Sequence, residues 1–129
     1  MGNGTNIGRV RGLGSAHEGA RHWWQQRVTA AGNLLLLVWF VVSLLRLPMI
    51  DHAAVVLWIK SPLVAVPLLL LVLSVFWHLR LGLQVFIEDY VHEEGSKIAC
   101  ILLLNAYALG AAALSAFSIL KIAFGGVAA

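Results

Sequence analysis

The sequence predicts an all-α integral membrane protein with three transmembrane helices preceded by a short interfacial N-terminal helix. Hydrophobic residues make up 60% of the 129 positions and charged residues only 12%, against about 25% in a soluble domain. Three stretches approach or exceed the roughly 20 apolar residues that cross a bilayer. They are 28–45, 61–87 and 98–120, and only His78 and Arg80 interrupt the second one with titratable groups.

The N-terminal region is polar and rich in glycine, and residues 1–14 are predicted to form a flexible tail. Ser15 precedes Glu18 by three residues, the spacing of a capping box. A short helix over residues 16–26 is expected to follow. Its paired tryptophans and its arginines favour the headgroup region of a membrane, where an indole ring has one wet edge and one apolar face.

Residues 15–129 are predicted to form a single membrane-anchor domain, with spans at about 28–47, 62–88 and 97–121. A connector of about a dozen residues separates the first two spans. Ser61 is followed by proline, as expected for a helix N-cap with proline in the first turn. The third helix is expected to begin with Ser96 as its cap.

Charge gives an orientation for the chain. Lysine and arginine accumulate on the cytoplasmic side of membrane proteins. With the N-terminus in the cytoplasm, that side would hold five basic residues: Arg9, Arg11, Arg21, Arg27 and Lys97. The opposite side would hold three: Arg46, Lys60 and Lys121. The expected arrangement is therefore a cytoplasmic N-terminus and a C-terminus on the far side. The net charge of +3 does not indicate nucleic-acid binding.

One face of the second span carries an unusual set of residues. At 100° per residue, Ser74, His78, Gly82, Val85 and Asp89 lie along one stripe. A glycine one turn from a histidine leaves space beside the imidazole, as a planar macrocycle bound through the ring nitrogen would require. Haem iron in electron-transfer proteins is commonly held by axial histidines. The alternative is a buried imidazole that hydrogen-bonds a neighbouring helix.

Arg80 lies on the opposite face of the same helix, where pairing with a partner subunit or a lipid headgroup is expected. Asp89 and Tyr90 end the span. They either mark a plain helix end or form part of a quinone site, in which the Tyr90 hydroxyl would bond a quinone carbonyl and the Asp89 carboxylate would help supply protons. Arg27 precedes the first span, either as a charge anchor or as a clamp on a carboxylate such as a haem propionate.

Two segments, "RHWWQQRVTAAGNLLL" and "HLRLGLQVFIEDYVH", closely resemble the hydrophobic membrane anchor subunits of succinate dehydrogenase, respiratory complex II. These are small subunits with three spans. The resemblance covers roughly residues 15–95, and the third helix adds little to it. The matching positions are an Arg-x-Thr-Ala entry to the first helix and a His-Gly-Asp-Tyr pattern in the second, here Arg27, Thr29, Ala30, His78, Gly82, Asp89 and Tyr90.

For the cofactor, the resemblance implies that His78 is one axial ligand of haem b, shared with a cytochrome b subunit that supplies the second histidine. Arg27 would approach the haem propionates, and His22 would do so too, although the spacing of this histidine varies in the family. Gly82 would belong to the haem surroundings.

For the substrate, the resemblance implies that Tyr90 bonds the ubiquinone carbonyl and that Asp89 supports that site. Flavoprotein and iron-sulfur subunits would oxidise succinate and pass electrons to ubiquinone, while this non-catalytic chain tethers them to a bacterial inner membrane. Three alternatives remain open: a fumarate reductase anchor, the cytochrome b partner itself, or a non-redox scaffold of three helices in lipid.

Overall fold

The computed structural model describes Asn6 and residues 19–125, and in this part of the chain all regular structure is α-helical. The helices are α1 (Gly19–Leu45), α2 (His52–Lys60), α3 (Pro62–Tyr90) and α4 (Glu94–Phe124). Helices α1, α3 and α4 are long and apolar enough to cross a membrane. The predicted all-α fold with three spans is therefore confirmed. The predicted tail and the Ser15–Glu18 capping box lie outside the described residues.

Helix α3 lies between the other two long helices and packs against both. Within residues 19–125, no Cα atom of α1 comes within 8 Å of one in α4. The buried core is correspondingly small and lies along α3 and α4: Val64, Ala65, Leu68, Leu71, Leu81, Leu104 and Ala108. Most other apolar side chains are exposed, as expected for a surface that faces lipid or further subunits.

The helix predicted for residues 16–26 and the first span are one continuous helix from Gly19. No proline interrupts the segment. At 1.5 Å per residue, its 27 residues extend about 40 Å, more than the roughly 30 Å of hydrocarbon in a bilayer. If α1 crosses the layer upright, part of it extends beyond the hydrocarbon, and its polar first turns are the part suited to do so.

Helix α2 occupies what the sequence analysis treats as a plain connector. Asp51 is its N-cap, and the carboxylate accepts a hydrogen bond of 2.7 Å from the backbone nitrogen of Ala54. The Trp58 indole stacks on Trp39, with ring centroids 6.5 Å apart, and donates through Nε1 to Ser43 Oγ at 2.9 Å. This cap and these contacts with α1 explain why nine residues too short to span a membrane are helical.

Helix α3 begins as predicted, with Ser61 at the N-cap and proline in the first turn. The Ser61 hydroxyl makes no capping bond, and its backbone carbonyl instead accepts from the nitrogens of Val64 and Ala65, each at 2.9 Å.

The cap predicted for α4 is wrong. The N-cap is Glu93, whose carboxylate accepts from the nitrogens of Gly95 at 3.1 Å and Ser96 at 2.7 Å. The Glu93 side chain is longer than that of serine, and its carboxylate accepts from two of the free backbone N–H groups at the start of the helix. The helix therefore begins before Ser96. Hydrogen bonds from Ser96, first from its side chain and then from its backbone, lower the pKa of the Glu93 carboxyl.

This cap makes the start of α4 sensitive to pH. A lowered pKa means that the stabilisation is fully present above the ordinary glutamate pKa and is lost as pH falls through the lowered one. We expect Glu93→Ala to speed amide exchange at Gly95 and Ser96 at neutral pH, with the ratio to wild type shrinking in acid. The exposed neighbour Glu94 provides the control Glu94→Ala, and equal effects of both changes at all pH values would contradict the assignment.

Candidate functional site

His78 connects α3 to α1. Its Nδ1 lies 3.0 Å from Oγ1 of Thr29, and both side chains are half-buried between the helices. The Thr29 hydroxyl also lies 2.8 Å from the carbonyl oxygen of Gln25 and 3.1 Å from that of Gln26. No role for Thr29 was predicted from the sequence. Thr29 could have been identified from its spacing, because it lies one turn before another polar residue, Asn33, in an otherwise apolar stretch.

The second ring nitrogen of His78, Nε2, has no hydrogen-bond partner within residues 19–125. Histidines that bind metals commonly have this arrangement: one ring nitrogen is hydrogen-bonded and the other is free to coordinate. The hydrogen bond determines which of the two nitrogens can bind the metal. Nowhere in the described residues do three His, Cys, Asp or Glu side chains form a metal cluster.

Gly82 lies one turn after His78 and faces α1 too. A Cβ atom added at this position would lie 3.6 Å from the Nε2 amide nitrogen of Gln26, an ordinary van der Waals contact. The space beside Gly82 that the sequence analysis assigned to a macrocycle therefore has the Gln26 amide at its edge.

Four polar residues of α1 form a stripe at helical spacing, here called the polar seam: His22, Gln26, Thr29 and Asn33. Positions separated by four, three and four residues lie on one face of a helix. Two atoms of the seam, His22 Nε2 and Asn33 Oδ1, are buried and have no hydrogen-bond partner among the described residues. Buried polar atoms in proteins are normally bonded, so the seam retains unused capacity to bind a polar group.

His22 lines a cleft between the start of α1 and the end of α3, with a volume of about 460 Å³. The cleft combines an apolar floor with two amides, an imidazole and a carboxylate: Gly19, His22, Trp23, Gln26, Gln84, Val85 and Glu88. The guanidinium of Arg27 lies over the Trp23 ring, 5.5 Å from its centroid, and the Arg27 side chain is exposed. Arg27 thus remains accessible to an anion.

Asp89 and Tyr90 form the exposed end of α3. The Tyr90 ring stacks on Phe86 with centroids 4.5 Å apart, yet 69% of its surface is accessible. Eleven residues separate His78 from Asp89, or about 16 Å along the axis. The structure therefore places these residues at one end of the helix and the histidine about three turns deeper, as the sequence analysis expects.

Arg80 has a partner in this chain, contrary to the expectation of a lipid or partner-subunit contact. Its Nε donates to Oδ1 of Asn105 on α4, and its guanidinium lies 5.1 Å from the centroid of the Trp77 ring. Charged groups at membrane depth are costly and bind polar groups of neighbouring helices. The sequence did contain a signal for this contact, because Asn105 is an isolated polar residue within the apolar third span.

Comparison with known proteins identifies relatives of this chain. The family model described as the succinate dehydrogenase/fumarate reductase transmembrane subunit matches residues 1–112. The succinate dehydrogenase hydrophobic membrane anchor subunit of Rickettsia bellii is 34% identical over 87 residues, 67% of this chain and 70% of that protein. No solved structure matches the chain significantly.

Two further relatives carry the same description. The subunit of Rickettsia conorii is 32% identical over 106 residues, 81% of this chain and 84% of that protein. The one from Paracoccus denitrificans is 25% identical over 118 residues, 92% of this chain and 91% of that protein. These two alignments cover 81% and 92% of this chain.

The Arg80 contact is expected to contribute to the stability of the protein. We expect Asn105→Leu to lower the free energy of unfolding in mild detergent by about 1.5–3 kcal/mol, because a bond to a charged group is lost. The double change Arg80→Leu/Asn105→Leu should recover most of this loss, since removing both partners leaves no unpaired charge. Ser118→Ala, on an exposed turn of the same helix, is the control, and a double variant no better than Asn105→Leu would contradict the pairing.

Proposed function

This chain belongs to the family of succinate dehydrogenase/fumarate reductase transmembrane subunits, and we propose that it is the hydrophobic membrane anchor subunit of a succinate:ubiquinone oxidoreductase. One observation carries the proposal: His78 is held through Nδ1 by Thr29, while its Nε2 is without a partner in residues 19–125. A histidine in this state, inside a membrane span, is suited to bind haem iron.

In this role His78 would hold the iron of haem b through Nε2, together with a histidine of the cytochrome b subunit. Bound haem provides a site that accepts and releases one electron. The exposed guanidinium of Arg27 is suited to the propionates, and so is His22 Nε2, which has no partner within residues 19–125. Arginine binds carboxylates through two parallel hydrogen bonds, and His22 lies about two turns before Thr29 on the polar seam.

Tyr90 and Asp89 contribute to the ubiquinone site. The exposed phenol can donate a hydrogen bond to a quinone carbonyl, and the stack on Phe86 limits the rotation of its ring. The Asp89 carboxylate, exposed at the same end of α3, can exchange protons with water, which reduction of a quinone to a quinol requires. Contacts on the remaining sides of the quinone belong to the partner subunits.

The flavoprotein and iron-sulfur subunits oxidise succinate and deliver electrons, and this chain tethers them to the membrane. It is a multi-pass protein, and we assign it to the bacterial inner membrane with the N-terminus cytoplasmic and the C-terminus periplasmic. The excess of basic residues on the N-terminal side supports this orientation. It places Arg27, His22 and Tyr90 at the same membrane face.

The haem assignment is tested by His78→Ala in the purified complex. We expect the low-spin haem absorption spectrum to be lost or shifted, because alanine cannot coordinate iron. His92→Ala is the matched control, since His92 is exposed in the turn after α3 and has no assigned role. An unchanged haem content and spectrum in His78→Ala would remove the ligand assignment and favour a non-redox scaffold.

The quinone assignment is tested by Tyr90→Phe, which keeps an aromatic ring for the stack on Phe86. We expect assembly and haem content to be retained and succinate-dependent ubiquinone reduction to fall about tenfold or more, because a loss of about 1.4 kcal/mol in transition-state stabilisation is tenfold in rate. Tyr107→Phe, at an exposed tyrosine on α4, should turn over normally. Wild-type turnover by Tyr90→Phe would refute the role.

A further inference from the structure

We propose that Thr29 is a positioning residue that fixes the tautomer and the ring orientation of His78, so that Nε2 presents a lone pair to the haem iron. The inference rests on the proposed haem ligation by His78. It assigns a specific task to a residue on a different helix, one that makes no contact of its own with the iron.

The number of available protons determines the direction of the hydrogen bond. The Thr29 hydroxyl carries one proton, and its two nearest backbone neighbours, the carbonyls of Gln25 at 2.8 Å and Gln26 at 3.1 Å, can only accept. With that proton donated to a carbonyl, Oγ1 can only accept from His78 Nδ1 at 3.0 Å. Nδ1 therefore carries the ring proton, and in a neutral imidazole Nε2 is left without one.

The opposite tautomer is disfavoured at this position. It would turn the Thr29 hydroxyl away from both carbonyls so that it could donate to Nδ1. It would also place a proton on Nε2, which cannot then coordinate iron.

The identity of residue 29 matters because threonine is stiff. A β-branched side chain has few χ1 rotamers in a helix, and threonine adopts those in which its hydroxyl bonds the preceding turn. Oγ1 is therefore held at a fixed place on α1, opposite His78. Serine at this position would keep the acceptor but would hold it less firmly.

A hydrogen-bond acceptor on the far nitrogen of a ligating histidine orients the ring and raises its basicity. A more basic ligand favours the oxidised iron over the reduced iron, because it donates more electron density. Loss of such outer partners typically weakens metal binding by about 10- to 100-fold. Removal of the Thr29 hydroxyl should therefore loosen the haem and raise its midpoint potential.

The experiment uses the complete complex carrying Thr29→Val, which keeps the shape and removes the hydroxyl. We expect haem retention during detergent washing to fall about tenfold, and the midpoint potential to rise by about 59 mV if the preference for oxidised iron falls tenfold. The electron paramagnetic resonance signal of the oxidised haem should shift as well. Thr29→Ser should lie between Thr29→Val and wild type.

Ser118→Ala is the matched control, because Ser118 makes the same bond to the preceding turn, to the Leu114 carbonyl at 2.8 Å, without a histidine partner. If Thr29→Val does not assemble, Thr29→Ala compared with Thr29→Ser provides the same measurement. An unchanged potential and resonance signal in an assembled variant lacking the hydroxyl overturns the inference. If haem is also unaffected by His78→Ala, the proposed function itself fails; if only His78→Ala loses haem, the Thr29 role alone is wrong.

Discussion

Polar side chains inside a membrane must find their partners within the protein, because hydrocarbon offers none. Helix α3 carries two such groups, His78 and Arg80, separated by two residues and therefore by about 200° around the helix. One bonds Thr29 on α1 and the other bonds Asn105 on α4. Each of the two long interfaces thus contains a polar contact made by α3. The central position of α3, with its neighbours out of contact with each other in residues 19–125, is consistent with this division.

The spans were predictable because their lengths and apolar content are set by the bilayer rather than by packing. The short helix α2 was not, because an apolar run of nine residues resembles a connector until Trp58 is seen to stack on Trp39 and to bond Ser43. The cap of α4 was misassigned because serine is the commoner capping residue, whereas the Glu93 carboxylate reaches two backbone nitrogens at once.

The site was predictable only within one helix. Helical geometry put His78, Gly82 and Asp89 on one stripe, and the structure places the first two against α1. The bond between His78 and Thr29 was not predicted, because α1 is apolar on most sides and its one polar face was not used to orient it against α3. The spacing of the polar seam contained the missing information.

The Arg80 contact has a consequence for biosynthesis. An arginine at the centre of a span raises the cost of its insertion by about 2.5–3.5 kcal/mol, so α3 leaves the translocon less readily as a lone segment. Only three residues, 91–93, separate α3 from α4, and α4 brings the amide that receives the guanidinium. The two segments are therefore suited to partition into lipid together as a helical hairpin, in which the Asn105 side chain of α4 binds the charged Arg80 side chain of α3.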